Sequence, residues 1–398
     1  MKRIEEFDAV TIRDSVGSGP TGGRLPFECI ALLLQGGGAL GAYQAGVYQA
    51  LAEASVLPDW VAGISIGAIN SALIAGNPPE LRVDKLRSFW EAITTHNVWD
   101  WPSQFRLPYF ESIDSRKIAN QASATSALLA GVTGFFSPHV PPPWQQPAGS
   151  PKATSYYDTS SLRKTLEGLI DFDLINSGQT RFSVGAVNVR TGNFVYFDTK
   201  THVIRPEHIL ASAALPPGFP PVEIEGEHYW DGGLVSNTPL QWVLQFGPRQ
   251  DTLAFQVDLW SARGRLPLNM AEVMTRQKEI LYSSRTRDNT TSFTANQRVR
   301  HAVASLLEKV PEEIRGEPEA ELLRNFGDQK VYSLVHLIYR AKQYEGDSKD
   351  YEFSRRSMEE HWRGGYHDTI RTLRHPEALA RPKNAVGVST FDIAEHAG

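Results

Sequence analysis

The chain has 398 residues, with 40 Lys and Arg against 45 Asp and Glu, a formal net charge of -5 and one cysteine, Cys29. This balance argues against a nucleic-acid partner, because proteins that bind the phosphate backbone carry clustered basic charge. A single cysteine excludes an internal disulfide and a cysteine-based metal cluster, and it fits a reducing compartment.

The N-terminal residues 1–27 are polar and rich in glycine, and they predict a flexible lead with little power to bury surface. They lack the apolar run of about 7–15 residues that a secretory signal needs. No stretch of the chain reaches the roughly 18 consecutive apolar residues of a membrane-spanning helix. We therefore expect a cytoplasmic protein whose contact with a membrane, where it occurs, is peripheral.

The next segments alternate between strand and helix patterns. Cys29–Leu34 is a continuous apolar run, as in a strand buried on both faces of a sheet, and apolar residues recur at helical spacing over 40–54. A second short strand, 60–64, runs into Ser65 and a helix of small residues over 68–75. This alternation predicts an α/β fold with a mostly parallel central sheet flanked by helices.

Residues 94–157, here called the aromatic insertion, mix aromatic residues with prolines. Such a stretch suits an insertion over a site. It is either a lid or lipid-facing surface, or a structural excursion whose aromatic side chains pack on the main sheet. The aromatic residues are Trp99, Trp101, Phe105, Tyr109, Phe110, Phe135, Phe136 and Trp144.

The rest of the chain predicts further strands and then mainly helices. The predicted elements are a β-hairpin at 182–188 and 193–198, a helix at 207–214, and strands at 222–224, 228–230 and 253–257. Apolar residues at helical spacing then predict helices at 270–282, 299–310 and 331–343. We expect an α/β domain over 28–260, including the aromatic insertion, and a mainly helical C-terminal extension over 261–398.

Gly63-Ile-Ser65-Ile-Gly67 is a G-x-S-x-G pattern at the junction of a strand and a helix. A nucleophilic serine is presented on a tight turn in this context. The turn needs small neighbours because the serine backbone is strained, and the helix start directs N–H dipoles toward the reacting centre. The pattern therefore makes Ser65 the candidate nucleophile, with Gly63 and Gly67 permitting the turn.

Three glycines end the first strand and open the first helix: Gly36, Gly37 and Gly38. Their N–H groups could converge on an anion and form an oxyanion hole. Together with Gly41 they also satisfy G-x-G-x-x-G, the dinucleotide fingerprint. That fingerprint expects an acidic residue at the end of the second strand, where this chain has Ser65. The oxyanion hole is therefore the favoured interpretation.

Asp231 follows a short apolar strand and precedes Gly232 and Gly233, which permit close approach of the backbone. Asp-Gly-Gly alone is ordinarily a turn, but a positioned carboxylate can also take the proton of a serine hydroxyl. A histidine-dependent triad is the alternative, with five candidates after the acid: His301, His336, His361, His367 and His375. None lies in a loop with active-site character, so a pair of Ser65 and Asp231 is preferred.

The sequence contains no H-E-x-x-H motif, no clustered His/Asp ligand set and no Walker P-loop. These absences argue against a catalytic metal and against a nucleoside triphosphate. The candidate site is therefore predicted to use no cofactor.

Together the motifs resemble the patatin-like phospholipase family over about residues 28–245, and the remainder is similar to a helical extension found in a bacterial subgroup. In that family a Gly-rich loop is the oxyanion hole, the G-x-S-x-G serine is the nucleophile and the D-G-G/A aspartate is its base. These roles map to the glycines at 36–38, to Ser65 and to Asp231. The sequence over 211–221 and Asn237-x-Pro239 are also similar to the family's sequence around the aspartate.

The resemblance implies a serine lipid acyl hydrolase, of phospholipase A or carboxylesterase type, acting on a lipid or another acyl ester. Many family members carry Arg or Lys two positions after the third glycine, where this chain has Leu40. Two other functions remain open at this point: a non-catalytic lipid or acyl-chain binding protein, and a histidine-dependent α/β-hydrolase esterase. Nothing in the sequence specifies the head group, the acyl-chain length or the oligomeric state.

Overall fold

The structure is a computed structural model, and it describes residues 25–94, 113–247, 249–283, 286–342, 344–384 and 386–393. Most of the predicted N-terminal lead lies outside these residues. Five aromatic residues of the aromatic insertion also lie outside them: Trp99, Trp101, Phe105, Tyr109 and Phe110.

Within the described residues the strands are β1 (Cys29–Leu34), β2 (Trp60–Gly63), β3 (Ser137–Pro138), β4 (Tyr157–Asp158), β5 (Arg181–Asn188), β6 (Phe194–Asp198), β7 (Val222–Ile224), β8 (Glu227–Asp231), β9 (Thr252–Asp258), β10 (Tyr332–Ile338) and β11 (Val388–Phe391). The α-helices are α1 (Ala42–Glu53), α2 (Ile66–Ala75), α3 (Arg82–Ala92), α4 (Ile113–Ala130), α5 (Ser160–Leu169), α6 (Phe172–Asn176), α7 (Pro206–Ser212), α8 (Met270–Tyr282), α9 (Thr286–Leu307), α10 (Pro318–Phe326) and α11 (Arg355–Leu373). No helix in this part of the chain has the length and apolar character needed to cross a bilayer.

In the described part of the chain a nine-stranded sheet forms the centre, in the order β11-β10-β9-β1-β2-β5-β8-β7, with β6 also paired to β5. The neighbours from β11 to β5 are parallel, and β6, β7 and β8 add antiparallel pairs at one side. The predicted α/β architecture with a mostly parallel sheet is confirmed. A separate two-stranded sheet joins β3 and β4.

The first strand, β1, lies in the interior of this sheet between β9 and β2, and every one of its residues is buried. Strands covered by helices on both faces become continuous apolar runs, and this run was predicted with its observed bounds. Leu34, its last residue, is in register with Gly63 of β2 on one side and with Val257 of β9 on the other. The core begins slightly before the strand, since Phe27 from the predicted lead is also buried.

The C-terminal region is helical, as predicted, but it also supplies two strands of the central sheet. The predicted helix at 270–282 is α8, and the one at 299–310 overlaps α9. The helix predicted at 331–343 is wrong, because Tyr332–Ile338 is β10 and pairs in parallel with β9. This strand is almost wholly buried, and a short, fully buried strand cannot be distinguished from a buried helix by periodicity.

Helix α11 packs against α1 at very short range through glycines on both helices. Gly46 of α1 faces the carbonyl of Trp362, and Gly365 of α11 faces the carbonyl of Tyr43. The buried indole of Trp362 donates a hydrogen bond from Nε1 to Gln49 Oε1 at 2.6 Å. The last long helix is thereby fixed to the first one.

The described part of the aromatic insertion contains both packed and exposed aromatic side chains. Phe135 and Phe136 are buried, and the ring of Phe136 lies 5.4 Å from that of Phe219 and 6.3 Å from that of Phe353. Trp144 is 75% exposed. The two phenylalanines therefore pack on the main domain, while Trp144 faces solvent.

Candidate active site

Ser65 occupies the turn between β2 and α2 in a conformation that few side chains adopt. Its φ of 56° and ψ of -124° lie outside the allowed regions for L-residues. The Ser65 N–H donates to the hydroxyl of Ser212 at 3.1 Å, and the Ser65 carbonyl accepts the N–H of Ala68 at 2.9 Å at the start of α2. The residue is partly exposed, so the turn presents its hydroxyl at the surface of the site.

The two motif glycines around Ser65 are required by close backbone contacts. A Cβ on Gly63 would overlap the carbonyl group of Gly67, and a Cβ on Gly67 would overlap the carbonyl group of Leu34. The turn is therefore packed directly against the end of β1, which brings Ser65 close to the Gly-rich loop.

The Gly-rich loop follows β1 and lies against Ser65. A Cβ on Gly36 would lie 3.0 Å from the Cβ of Ser65 and would overlap the side chain of Asn237. The Gly36 N–H already donates to the carbonyl of Asn237 at 3.2 Å. Gly37 and Gly38 are partly exposed, and within the described residues their N–H groups have no assigned acceptor. Gly41 ends the short 3-10 helix Gly38–Gly41 that leads into α1.

Asp231 is brought to Ser65 by the register of β5. The first half of β5 pairs with β2, where Val184 is opposite Gly63, and its second half pairs with β8, where Ala186 is opposite Asp231. Asp231 therefore lies in line with the continuation of β2, where the chain turns through Ser65. The sheet places the two side chains together although 166 positions separate them in sequence.

The Asp231 carboxyl is buried, and this burial controls its protonation. Loss of water raises its pKa to about 7, although the Ser65 hydroxyl and the Gly233 N–H both lower it. Gly233 donates to Oδ1 at 2.7 Å. Oδ2 is buried and has no hydrogen bond of ordinary geometry within the described residues. This oxygen is the acceptor available to a nearby hydroxyl.

Asn237 connects the Asp231 loop to the Gly-rich loop and to the end of α8. Its side-chain amide donates to the carbonyl of Gly36 at 3.0 Å and to the carbonyl of Tyr282 at 2.9 Å. The indole Nε1 of Trp260 also donates to the Gly36 carbonyl, at 3.0 Å. Gly232 and Gly233 form the first turn after Asp231, in the 3-10 helix Gly232–Leu234.

Gln35 makes a second connection beneath the site. Its Oε1 accepts the N–H groups of Leu259 and Trp260 at 2.7 and 3.0 Å, while its Nε2 donates to Thr238 Oγ1 and to the Tyr282 carbonyl at 3.0 and 3.2 Å. Gln35, Thr238, Leu259 and Trp260 follow strands of the central sheet, and Tyr282 is the last residue of α8.

Sequence reasoning identified Ser65, Asp231 and the glycines but not these supporting residues. Ser212 and Asn237 lie inside stretches that carry the family resemblance, and Gln35 lies in the Gly-rich motif, but no chemical role was predicted for them. Trp260 and Tyr282 carried no local signal, because they act through tertiary contacts. Tyr282 also has a raised pKa, caused first by burial and then by the nearby charge of Asp231.

Within the described residues, the contacts assigned to the candidate histidines are with residues other than Ser65 and Asp231. His301 Nε2 lies 3.0 Å from the carbonyl of Lys330, and His361 Nε2 lies 3.1 Å from Glu345 Oε1. His336 lies in β10, not in a helix, with Nδ1 3.9 Å from Asp258 Oδ2. His375 pairs with Glu377, and His367 is exposed on α11. The described residues also contain no group of three His, Cys, Asp or Glu side chains able to hold a metal ion.

Two family models match this chain. One, described as patatin-like phospholipase, matches residues 32–243, which contain every motif of the candidate site. The other, described as patatin phospholipase, matches residues 280–385, which contain β10 and α11. The first match alone covers more than half of the chain.

Among curated proteins, a patatin-like phospholipase domain-containing protein of Caenorhabditis elegans is 31% identical over 112 residues. The aligned part is 27% of this chain, and it spans only 10% of the length of that relative. Among solved structures, VipD from Legionella pneumophila aligns over 93% of this chain and 72% of its own, with a TM-score of 0.35 and 14% identity. Human GIVD cytosolic phospholipase A2 aligns over 49% of this chain and 26% of its own, with a TM-score of 0.26 and 14% identity.

Proposed function

The chain belongs to the patatin-like phospholipase family, and from this premise we propose that it is a serine lipid acyl hydrolase of phospholipase A or carboxylesterase type. In this proposal Ser65 is the nucleophile and Asp231 is its general base. The observation that carries it is the register of β5, which brings the buried Asp231 carboxyl beside the Ser65 hydroxyl. A hydroxyl is a poor nucleophile until a positioned base takes its proton.

The proposed reaction has two halves. Asp231 accepts the Ser65 proton while Ser65 Oγ attacks the ester carbonyl carbon, and the tetrahedral intermediate then expels the alcohol, which receives the proton from Asp231. Water attacks the resulting acyl-serine, with Asp231 again accepting a proton that it returns to Ser65 Oγ as the acid leaves. Every proton transfer is assigned to Asp231, so the proposed cycle uses no cofactor.

We assign the oxyanion hole to the N–H groups of Gly37 and Gly38. The Gly36 N–H is already bonded to Asn237, so Gly36 contributes the space that lets the loop approach Ser65. Each preorganised backbone donor of this kind contributes about 10²–10³ in rate. The N-terminus of α2, which begins directly after Ser65, adds a favourable dipole for the developing negative charge.

The buried environment suits Asp231 to the role of a base. A general base works best when its pKa lies near the operating pH, and burial raises the pKa of this carboxyl to about 7. An exposed aspartate, with a pKa of about 3.9, would accept the serine proton far less readily.

The proposal is tested by labelling with a fluorophosphonate probe and identifying the modified peptide by mass spectrometry. We expect an adduct on Ser65 in the wild type, no adduct in Ser65→Ala, and a rate of labelling in Asp231→Asn lower by about 10² or more, the low end of what a general base contributes. Hydrolysis of a water-soluble short-chain ester should be lost in both variants.

Ser71→Ala is the matched control, because Ser71 lies on α2, which begins directly after Ser65, and its buried hydroxyl has no hydrogen-bond partner within the described residues. Removing an unpaired buried hydroxyl should leave folding and labelling intact. Full labelling of Asp231→Asn would remove the aspartate from the mechanism. A folded wild type that neither labels nor hydrolyses the ester would instead favour the non-catalytic lipid-binding alternative.

A further inference from the structure

Helix α8 directs its apolar side chains outward. They are Met270, Val273, Met274, Ile280 and Leu281, which are 73, 41, 50, 58 and 65% exposed. At about 100° per residue, these five and Gln277 form a continuous arc of about 120° on the helix. A surface helix of a protein in water normally presents the opposite face to solvent. We call this arc the outer face of α8.

The side of α8 that faces the protein is charged. Lys278 Nζ lies 2.8 Å from Asp350 Oδ1 and donates to the carbonyl of Asp347 at 2.9 Å. Glu279 accepts from Lys349 Nζ at 2.7 Å, and Lys349 is almost completely buried. These partly buried ion pairs fix the rotation of the helix, so the outer face cannot turn inward without breaking them.

The start of α8 is fixed as well. Asn269 accepts the N–H of Glu272 at 3.0 Å, and Glu272 in return accepts the N–H of Leu268 at 2.8 Å and the side-chain amide of Asn269 at 2.7 Å. Such reciprocal capping stabilises the first turn of a helix. Glu272, the only acidic side chain of the first turn, is thus bonded to Leu268 and Asn269 just before the helix and does not add charge to the outer face.

The helix ends at the candidate active site. The carbonyl of Tyr282 accepts hydrogen bonds from Gln35 and Asn237, the two residues that connect the loops of the site. Leu234 and Val235, in the turn after Asp231, are 45 and 59% exposed. Exposed apolar side chains therefore stand on both sides of the junction between α8 and the Asp231 loop.

We propose that the outer face of α8, together with Leu266 and Leu268 before it, docks on a lipid surface that carries anionic head groups. Leu266 and Leu268 are 84 and 85% exposed, and the exposed Arg265 directly precedes them. Aliphatic side chains with few hydrogen-bonding groups suit the acyl boundary of a bilayer, and an adjacent guanidinium group suits the anionic head groups above it. The docking is inferred from α8 alone, whereas its purpose, delivery of lipid to Ser65, rests on the proposed function.

The first experiment is flotation of the full chain with phosphatidylcholine vesicles that contain phosphatidylglycerol. The double variant Met270→Gln/Met274→Gln should bind these vesicles about tenfold or more weakly, because each change removes one apolar side chain from the lipid contact. Its turnover of a water-soluble short-chain ester should equal that of the wild type. Leu306→Gln/Leu322→Gln is the matched control, since these residues are 61 and 70% exposed on α9 and α10, and it should float as the wild type does.

A second measurement tests whether α8 itself contacts the lipid. The only native cysteine, Cys29, is buried, so an environment-sensitive fluorophore attached at Met274→Cys reports on that position. Its emission should shift to shorter wavelength when the vesicles are added. The same label at Leu322→Cys should not shift.

The outcomes separate this proposal from the proposed function. Vesicle binding that is lost in the α8 variant supports docking even where no ester is hydrolysed. Normal ester turnover together with unchanged flotation of the α8 variant overturns docking and leaves the hydrolase intact. A wild type that binds no vesicles but self-associates in light scattering, together with an α8 variant that does not self-associate, overturns lipid docking and assigns the outer face to a second copy. Equal binding to phosphatidylcholine alone overturns the preference for anionic lipid.

Discussion

At Asp231, burial and hydrogen bonding act on one carboxyl group in opposite directions. Removal from water raises the pKa, while the Ser65 hydroxyl and the Gly233 N–H lower it, and the result is about 7. A group with such a pKa is divided between its two protonation states near neutral pH. Its ionised form is therefore a stronger base toward the Ser65 hydroxyl than an ordinary aspartate, and it is still present near neutral pH.

We expect kcat/KM for a soluble ester to rise with pH and to reach half of its plateau near pH 7. Only ionised Asp231 accepts the serine proton, and because its pKa is raised, this form is lost as pH falls through about 7 rather than through the ordinary 3.8. The profile is measured by initial rates at low substrate concentration. Circular dichroism at each pH serves as the control for folding, and a midpoint near 4 in the folded enzyme would contradict this assignment.

Among the strands and helices, those predicted correctly are the ones whose pattern lies in their own stretch of sequence. β1 and β7 were predicted with their observed bounds, because an apolar run between turn residues is a local pattern. β10 was predicted as a helix, because burial on both faces comes from its neighbours in the sheet. The same distinction applies to the site: motifs identify Ser65 and Asp231, whereas Trp260 and Tyr282 reach it only through the fold.

Gly364 and Gly365 are neighbours in α11, but they should respond differently to replacement by alanine, because only Gly365 lies in the close contact with α1. A Cβ on Gly365 would overlap the Tyr43 carbonyl and lie 3.0 Å from the Val47 nitrogen, whereas a Cβ on Gly364 would lie 3.7 Å from the Tyr43 ring. Gly365→Ala should lower the free energy of unfolding by about 1–3 kcal/mol, because the helices must separate.

Gly364→Ala is its matched control and should raise the free energy of unfolding by up to about 1 kcal/mol, because alanine favours the helix over glycine. Urea denaturation of the two variants and the wild type measures both effects. Equal stability of the two alanine variants would show that α1 and α11 are not in such close contact.

At the scale of the whole molecule, the central sheet contains strands from both ends of the described chain. β10 and β11 extend the sheet from β9, and α11 covers α1. The sequence predicts a boundary at residue 260, and that boundary stays a prediction. The pairing of β9 with β10 and the packing of α11 indicate that residues 28–260 depend on the C-terminal region for their stability.

We therefore expect a chain that ends at residue 260 to fail to fold cooperatively. It would expose the edge of β9 and the face of α1 that α11 covers. Near-ultraviolet circular dichroism and thermal unfolding of the shortened chain, compared with the full chain, measure this. A single sharp transition with native-like tertiary signals would show instead that residues 28–260 form an independent domain.

The central position of β1 has a consequence for synthesis on the ribosome. β1 is synthesised before its partner β9, which is in register with it from Thr252, more than two hundred residues later, and ribosomes add only about 5–20 residues per second. The nascent chain therefore carries an apolar strand with an unpaired edge for roughly ten seconds or more. Yield in cells should consequently depend on the chaperones that shield such strands, more than the stability of the finished protein would suggest.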